Sequence, residues 1–422
     1  MLTPKLRFIE FRNGPAWKEE SFANLYELKP TNTLSRDKLN YDRGTVRNIH
    51  YGDIHTRFQT LFDVSQELVP FVTGGSTVDF DKNAFSAEGD LVFADASEDL
   101  TDVGKSIEVV ALHGERVLSG THTILATPRD SQLIVGFGGY LFRSGRMRAQ
   151  IKNEAQGSKV YGISSGRLCK VNVCFPADPA EQQKIVGCLT SLDELIAAHR
   201  RKLDALRAHK KGLMQQLFPG EGESLPRVRF PEFRDAPKWD QEKLGDFVDI
   251  SSGDSPSRFV LSSSGKYPFV KVEDLNNCVK YQVTGREFCN NSKAVVPRHS
   301  LLFPKRGAAI ELNKLRVTAA EIVIDTNLMA ITPKNGLMSE FLYYYTSNIG
   351  LSHIADTSTI PQINNKHIIP LGVFLPSTSE QERIAGCLLT LDEQISAEAK
   401  TFATLKTHKN GVMQQLFPSP EL

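Results

Sequence analysis

The sequence predicts an α+β fold in which two globular domains are joined by two long antiparallel coiled-coil helices, arranged as a pseudo-twofold tandem repeat. Three observations carry that expectation. Two sequence blocks recur in the same order, each copy contains a long heptad-patterned segment, and the stretches between read as short strands broken by glycine and proline.

The first block, Leu6-Arg7-Phe8-Ile9-Glu10-Phe11-Arg12 with Trp17 downstream, returns as Val228-Arg229-Phe230-Pro231-Glu232-Phe233-Arg234 with Trp239, an offset of 222 residues. The second, from Glu181 to Pro219, returns from Glu380 to Pro418 at an offset of 199, down to an identical MQQLFP ending. The first globular part is therefore 23 residues longer than the second. Between the blocks similarity is thin: Asp53-Ile54 matches Asp274-Leu275, and Thr127-Pro128 matches Thr332-Pro333. One scaffold carrying two different surfaces is the natural reading.

Within the second block apolar positions alternate at spacings of four and three, which is a heptad seam. It reads Ile185, Leu189, Leu192, Ile196, His199, Leu203, Leu206, Lys210, Leu213, Leu217 in the first copy. In the second it reads Ile384, Leu388, Leu391, Ile395, Glu398, Phe402, Leu405, Lys409, Val412, Leu416. Ser379 ahead of Glu380, Gln381 and Glu382 marks a helix start, and Pro219 and Pro418 mark the stops. Each helix then spans about 37 residues, roughly 55 Å at 1.5 Å per residue. A helix with one narrow apolar stripe needs a partner, and its own repeat is the nearest. Antiparallel pairing would set the globular domains at opposite ends of a rod. It would also bring His199 and Glu398 near the midpoint, where a charge-assisted contact sets register unless both reach solvent. Lys210 and Lys409 read as snorkelling stems, and Cys188 and Cys387 as buried small apolar residues.

Residues 1–174 form the first globular domain with its copy of the opening block, and residues 175–218 the first helix. Residues 219–238 hold the linker and the second opening block, 239–373 the second globular domain, and 374–422 the second helix with the C-terminus. The linker is the Gly- and Pro-bearing stretch from Phe218 to Val228. Runs such as Ser106 to Leu112 and Glu321 to Ile324 read as strands, and a stretch near Ser339 to Asn348 as a helix.

Charge is balanced, 50 basic against 49 acidic residues, so any surface for a polyanion must be local. The six cysteines form no CxxC pair, the amino terminus carries no charged-then-apolar leader, and no apolar run approaches the roughly 18 residues that span a bilayer. A cytoplasmic protein without membrane contact is the expectation. Catalytic signatures are missing too. There is no G-x-G-x-x-G loop, no Asn/Asp-Pro-Pro-aromatic stretch for a flipped base, no Walker loop and no nuclease-type acidic cluster. Gly136-Phe137-Gly138-Gly139 reads as a turn, and His50 and His55 lack partners at metal-ligand spacing, so no metal is expected.

Local charge is more informative. Arg143, Arg146, Arg148 and Lys152 follow Tyr140 and Phe142 without an intervening acid, and Lys29, Asn32, Arg36, Arg43, Arg47 and Arg57 form a sparser band. The second domain offers Ser255, Ser257, Arg258, Lys266 and Lys271, then Lys305 and Arg306 on a glycine-bearing loop. Arginine and lysine bind phosphates without sequence preference, whereas arginine and asparagine also read base edges through paired hydrogen bonds. Basic stretches of this density are often plain solvated surface.

With its duplicated long helices, MQQLFP endings, Glu-Gln-Gln and Glu-Gln-Glu helix starts and divergent domains between, the chain resembles the specificity subunits of type I restriction-modification systems. The opening blocks, Ser252-Gly253-Asp254-Ser255-Pro256, Gly89 to Phe93 (GDLVF) and Ser300 to Pro304 (SLLFP) share in the resemblance, which covers nearly all of the chain. The first domain departs from it at Lys29-Pro30-Thr31-Asn32-Thr33, where a Gly-x-x-Pro-Ser opening would stand. The resemblance implies that each globular domain is a target recognition domain reading half of a bipartite, asymmetric site on double-stranded DNA. It implies that the helices act as a ruler and recruit two methyltransferase subunits, with restriction subunits joining them. S-adenosylmethionine, ATP and magnesium would then sit on those partners, and this chain would hold no cofactor and perform no catalysis. The specificity partner of a fused restriction-methylation enzyme shares this architecture. A structural coiled-coil adaptor would share the helices but leaves the divergence of the domains unexplained, and an autonomous enzyme lacks an assembled catalytic constellation.

Overall fold

The computed structural model describes residues 3–220, 222–290, 294–356 and 360–419. The chain divides into two compact units, Met1–His199 with Thr401–Leu422, and Arg200–Lys400. Both long helices run to 39 residues, Pro179–Leu217 and Thr378–Leu416, so each unit holds the first half of one helix and the second half of the other.

The strand order is the same in both units. In the first, a five-stranded sheet runs Tyr26–Lys29, Thr123–Pro128, Leu91–Ala94, Ser106–Ala111, Leu61–Asp63. In the second it runs Val248–Ser252, Leu328–Pro333, Leu301–Pro304, Arg316–Thr318, Tyr281–Gln282. The first three pairings are antiparallel and the last is parallel in each sheet. The matched Thr-Pro doublets close equivalent strands, and GDLVF and SLLFP supply equivalent central strands whose residues are buried on both faces. Near-continuous apolar runs are what a doubly covered strand requires.

Each unit also has a four-stranded sheet built around a parallel pair, Arg47–Ile49 with Val117–Ser119 and Tyr267–Val270 with Ile322–Ile324. Each pair is flanked by antiparallel strands, Phe71–Val72 and Glu287–Cys289. The outer edges differ only in regularity: a strand at Leu39–Asn40 in one unit corresponds to a single bridge, Ser262 to Phe288, in the other. The reverse holds for Val295–Val296 and the Phe85–Leu118 bridge. Gly253 is required where that second sheet meets its neighbour, because a Cβ there would lie 1.7 Å from the Asp325 carbonyl oxygen.

Within each unit the helix segments are antiparallel. In the first, Ile185 and Leu189 share a core with Leu416 while Asp193 meets Lys409. In the second, Ile384 and Leu388 share a core with Leu217 while Asp392 meets Lys210. Every seam position is buried or half-buried, and the deepest lie at the helix ends, where the globular sheets add a second layer. Trp17 sits edge-on to Phe137 and Phe417, at 6.4 and 6.1 Å, and Trp239 packs on Phe341 at 6.0 Å. Each such buried ring contributes about 1.5–3 kcal/mol.

Four sequence expectations are revised. The helices begin earlier than Ser379: the Ser377 hydroxyl accepts from the Glu380 N–H in the second copy, and Asp178 accepts from the Ala180 N–H in the first. Cys188 and Cys387 are half-buried rather than buried, since a two-helix seam leaves its flanks partly open. Gly136 to Gly139 is not a simple turn but leads into a short helix, Phe137–Leu141, whose amino end wraps a buried carboxylate. Lys210 and Lys409 do not merely snorkel, because each donates to an aspartate on the facing helix. The helix at Ser339–Ile349 and the strands Ser106–Ala111 and Ile322–Ile324 stand where the sequence places them.

Candidate nucleic-acid interface

Two duplicated polar clamps hold each globular sheet on its helices. In the first copy Arg7 Nε and Nη2 donate to the two oxygens of Glu181 at 2.6 Å each, and Trp17 Nε1 adds a third donor at 3.2 Å. In the second, Arg229 donates to Glu380 at 2.8 and 2.6 Å. The ion pair holds the Arg7 guanidinium above its usual pKa range, with the Glu181 hydrogen bond as the larger cause, and Glu380 does the same for Arg229. Lys184 with Glu10 and Arg383 with Glu232 repeat an outer pair at 3.1 and 3.0 Å. The matched opening blocks thus exist to reach the matched helix starts.

Several basic residues offered by the sequence are consumed by the fold. Arg143 Nε and Nη2 donate to the Ser106 carbonyl, and burial pulls its guanidinium below the usual range. Arg146 is 5% exposed and pairs with Glu19 at 2.8 Å. Arg148 donates to the carbonyls of Thr101, Val103 and Gly104, which ties down a turn. All three side chains, offered by the sequence for DNA contact, are engaged by groups of the fold. Arg146 and Arg148 lie on the helix Gly145–Glu154, which rests against the core through Met147 and Ile151, and Arg143 just precedes it. Half-buried Lys152 follows on the same helix. Asn32 is likewise spent on Asn48 and the Ser119 carbonyl, and Arg47 on Glu115, the Val69 carbonyl and the Phe71 ring. Lys29 is half-buried and Arg43 exposed.

Arg36 and Arg57 behave differently. Both converge on Asp53, whose side chain is 2% exposed, while their own side chains are 48% and 36% exposed. Arg36 reaches both Asp53 oxygens at 3.3 Å, and Arg57 Nη1 lies 3.6 Å from Oδ1. The Tyr41 hydroxyl accepts from Arg36 at 2.8 Å and from Arg57 at 3.1 Å. His50 Nδ1 accepts from the Gly52 N–H, and burial, aided by Arg36, pulls the imidazole pKa down.

In the second unit Ser255 and Ser257 pair hydroxyl to hydroxyl at 2.8 Å, and Arg258 pairs with Asp254 at 2.9 Å on an exposed loop. Lys271 is engaged with Glu287 at 2.5 Å, Lys266 and Arg306 are exposed, and Lys305 is half-buried. Sequence reasoning missed Arg286. Its Nε lies 3.4 Å from Asp274 Oδ1, an aspartate 1% exposed, while the arginine is 64% exposed. The Asp53/Asp274 match is the sequence feature that marks its surroundings. Also missed was Lys280, at the wall of a cleft of about 930 Å³ lined by Lys210, Tyr281, Tyr343 and Asp392. Its amine donates to the Tyr344 hydroxyl at 3.0 Å, and burial pushes its pKa down to about 8.

The family model for type I restriction modification DNA specificity domains matches residues 17–208 and 237–407. A Methanocaldococcus jannaschii chain named for the type I restriction enzyme MjaX specificity subunit is 23% identical over 337 residues, 78% of this chain and 77% of the relative. The MjaIX specificity subunit of the same organism is 22% identical over 293 residues, 66% and 67% of the two chains. Among solved structures, the S subunit of a type I restriction-modification system from M. genitalium aligns with a TM-score of 0.59 at 15% identity, covering 99% and 100% of the chains. A chain from a study of complex assembly and conformational transition in the type I R-M system aligns at 0.58 and 20% identity, covering 96% and 98%. These likenesses establish the α+β fold. No helix of the described residues is long and apolar enough to cross a membrane.

Proposed function

The chain belongs to the family of type I restriction-modification DNA specificity subunits, non-catalytic recognition proteins, and on that premise we propose that each of its globular units reads one half of a bipartite, asymmetric DNA site. The observation that supports this is one strand order built twice while the exposed side chains differ: Arg36, Tyr41 and Arg57 in one unit against Arg258, Arg286 and Arg306 in the other. A duplicated scaffold that has kept its clamps and changed its surface suits two readers of unlike sequence on one duplex.

The long helices set the gap between the half-sites. A helix of 39 residues measures about 58 Å at 1.5 Å per residue, and DNA turns once per 34–36 Å or so, so helix length governs both distance and rotational phase. The helices and adjoining surfaces also seat two methyltransferase subunits, and restriction subunits complete the assembly. S-adenosylmethionine, ATP and magnesium belong to those partners. A balanced net charge of +1 fits this division of labour, with partners supplying much of the phosphate affinity and this chain the discrimination. The cytoplasm is where such an assembly meets DNA.

The test is genome-wide mapping of methylated adenines in cells carrying this chain with its methyltransferase, against cells lacking only this chain. Loss of one bipartite motif with a fixed gap is the expected result. Persistence of every motif, together with no specific DNA binding by the purified complex, would overturn the reading and favour a coiled-coil adaptor.

A further inference from the structure

Asp53 and Asp274 occupy the same place in the repeat. Each lies in the short helix that follows the first strand of a parallel pair, Tyr51–Thr56 after Arg47–Ile49 and Val272–Asn277 after Tyr267–Val270. Both are 1% exposed and lie beside arginines whose side chains reach solvent; Arg286 Nε stands 3.4 Å from Asp274 Oδ1, which accepts no hydrogen bond among the described residues, and Arg286 Nη1 lies 3.6 Å from Glu273. The arginines come from different segments: Arg36 precedes a strand, Arg57 caps the helix, and Arg286 sits before the strand Glu287–Cys289. The carboxylate therefore stays in place while the arginines it anchors have changed.

From this geometry we infer that the buried aspartate is a shared anchor that pre-orients base-reading arginines, Arg57 with Arg36 as its frame toward a G·C pair of one half-site and Arg286 toward a G·C pair of the other. The inference rests on the DNA-reading function proposed above and assigns residues and a base to it.

Two physical arguments favour base edges over phosphates. The charge-driven part of a phosphate contact draws on net positive charge, which the anchors reduce: Asp53 cancels one of two positive charges, and Asp274 with Glu273 outnumbers Arg286. A guanine contact needs a guanidinium in a defined plane to donate to O6 and N7 together, and immobilising the side chain beforehand lowers the entropic cost of that contact. Arg57 uses only Nη1 within the cluster, so among the described residues its Nε and Nη2 have no protein acceptor. The Tyr41 hydroxyl completes the frame by accepting from both guanidinium groups, and the Tyr41 ring lies 5.6 Å from the Arg57 guanidinium carbon.

The experiment uses the full chain assembled with its methyltransferase, with adenine-methylation mapping and competition binding on variants Arg36→Lys, Arg57→Lys, Arg286→Lys and Asp53→Asn. Lysine keeps the charge and loses the paired donors. Arg57→Lys or Arg36→Lys should lower discrimination at one G·C position of one half-site by about 5- to 150-fold, leaving the other half intact. Arg286→Lys should do the same in the other half only. Asp53→Asn, acting through its arginines, should relax the same position as Arg57→Lys. If Arg36→Lys lowers the melting temperature of the complex, Arg57→Lys, held by one nitrogen only, carries the test. Lysine variants that keep the wild-type motif overturn the inference, whether or not the salt dependence of binding changes, and leave the two-reader function standing. A wild-type complex with no motif dependent on this chain overturns both.

Discussion

Lys409 Nζ lies 2.5 Å from Asp193 Oδ1 across the helix pair of the first unit, and the second Asp193 oxygen accepts from the Tyr140 hydroxyl at 2.9 Å. The second unit repeats the group as Lys210, Asp392 and Tyr344, at 2.5 and 2.6 Å. The lysines that interrupt the apolar seam thus meet aspartates that also accept from a tyrosine on a globular-domain helix, Tyr140 or Tyr344. Both partners of the Lys409–Asp193 pair are less than one-third exposed, so a double-mutant cycle of Lys409→Met and Asp193→Asn should give a coupling of about 1–3 kcal/mol by urea unfolding. Additive single effects would deny the junction.

The Arg7–Glu181 pair is deeper, with side chains 8% and 1% exposed. Arg7→Ala leaves a buried carboxylate with, among the described residues, only Trp17 as side-chain donor and should cost about 3–5 kcal/mol. Adding Glu181→Leu should recover part of that loss, as calorimetry of the double variant would show. Arg229→Ala should behave alike, since Glu380 is 2% exposed.

Replacing Arg148 by Ala strips the hydrogen bonds from three carbonyls of the 101–104 turn. Stability should fall by about 1–3 kcal/mol, and DNA affinity measured well below the melting temperature should stay unchanged. A selective loss of affinity without loss of stability would restore Arg148 to the contact surface.

Glu108 gives the first unit a pH dependence. Burial raises its carboxyl from 4.5 to about 7 despite N–H donors from Gly136 and Gly139 at 2.7 and 2.6 Å. Because the folded pKa is raised, the protonated form is favoured by folding: this contribution is complete below pH 4.5 and is lost as pH rises through 7. It amounts to at most about 3 kcal/mol. Glu108→Val, the residue at the equivalent Val317, should flatten the stability profile between pH 4.5 and 7 while lowering stability throughout by stranding two backbone donors. An unchanged slope would assign it to other groups.

Matched insertion of four residues in both long helices adds about 6 Å, close to two base pairs. Methylation mapping should then find the same half-sites at an altered gap, and an unaltered gap would count against the ruler.

Arg146 and Arg57 illustrate what could be read beforehand and what could not. In the sequence both are arginines in basic stretches, and nothing local separates them. In the fold one is buried against Glu19 and the other stands in solvent beside Asp53. The distinction depends on residues 127 positions away in the first case, which no window of sequence contains.

The sequence by itself determined the duplication, both long helices, their seams and their proline stops, and the α+β class. Heptad spacing and terminator residues act within a few turns of backbone, so local order is enough to declare them. The tertiary structure alone decided the strand order, the Lys409–Asp193 and Lys210–Asp392 junctions, the engagement of Arg143, Arg146 and Arg148 by the fold, and the equivalent burial of Asp53 and Asp274. Each of these rests on groups far apart in the chain meeting in a low-dielectric interior, where a charge persists only if another residue is there to meet it.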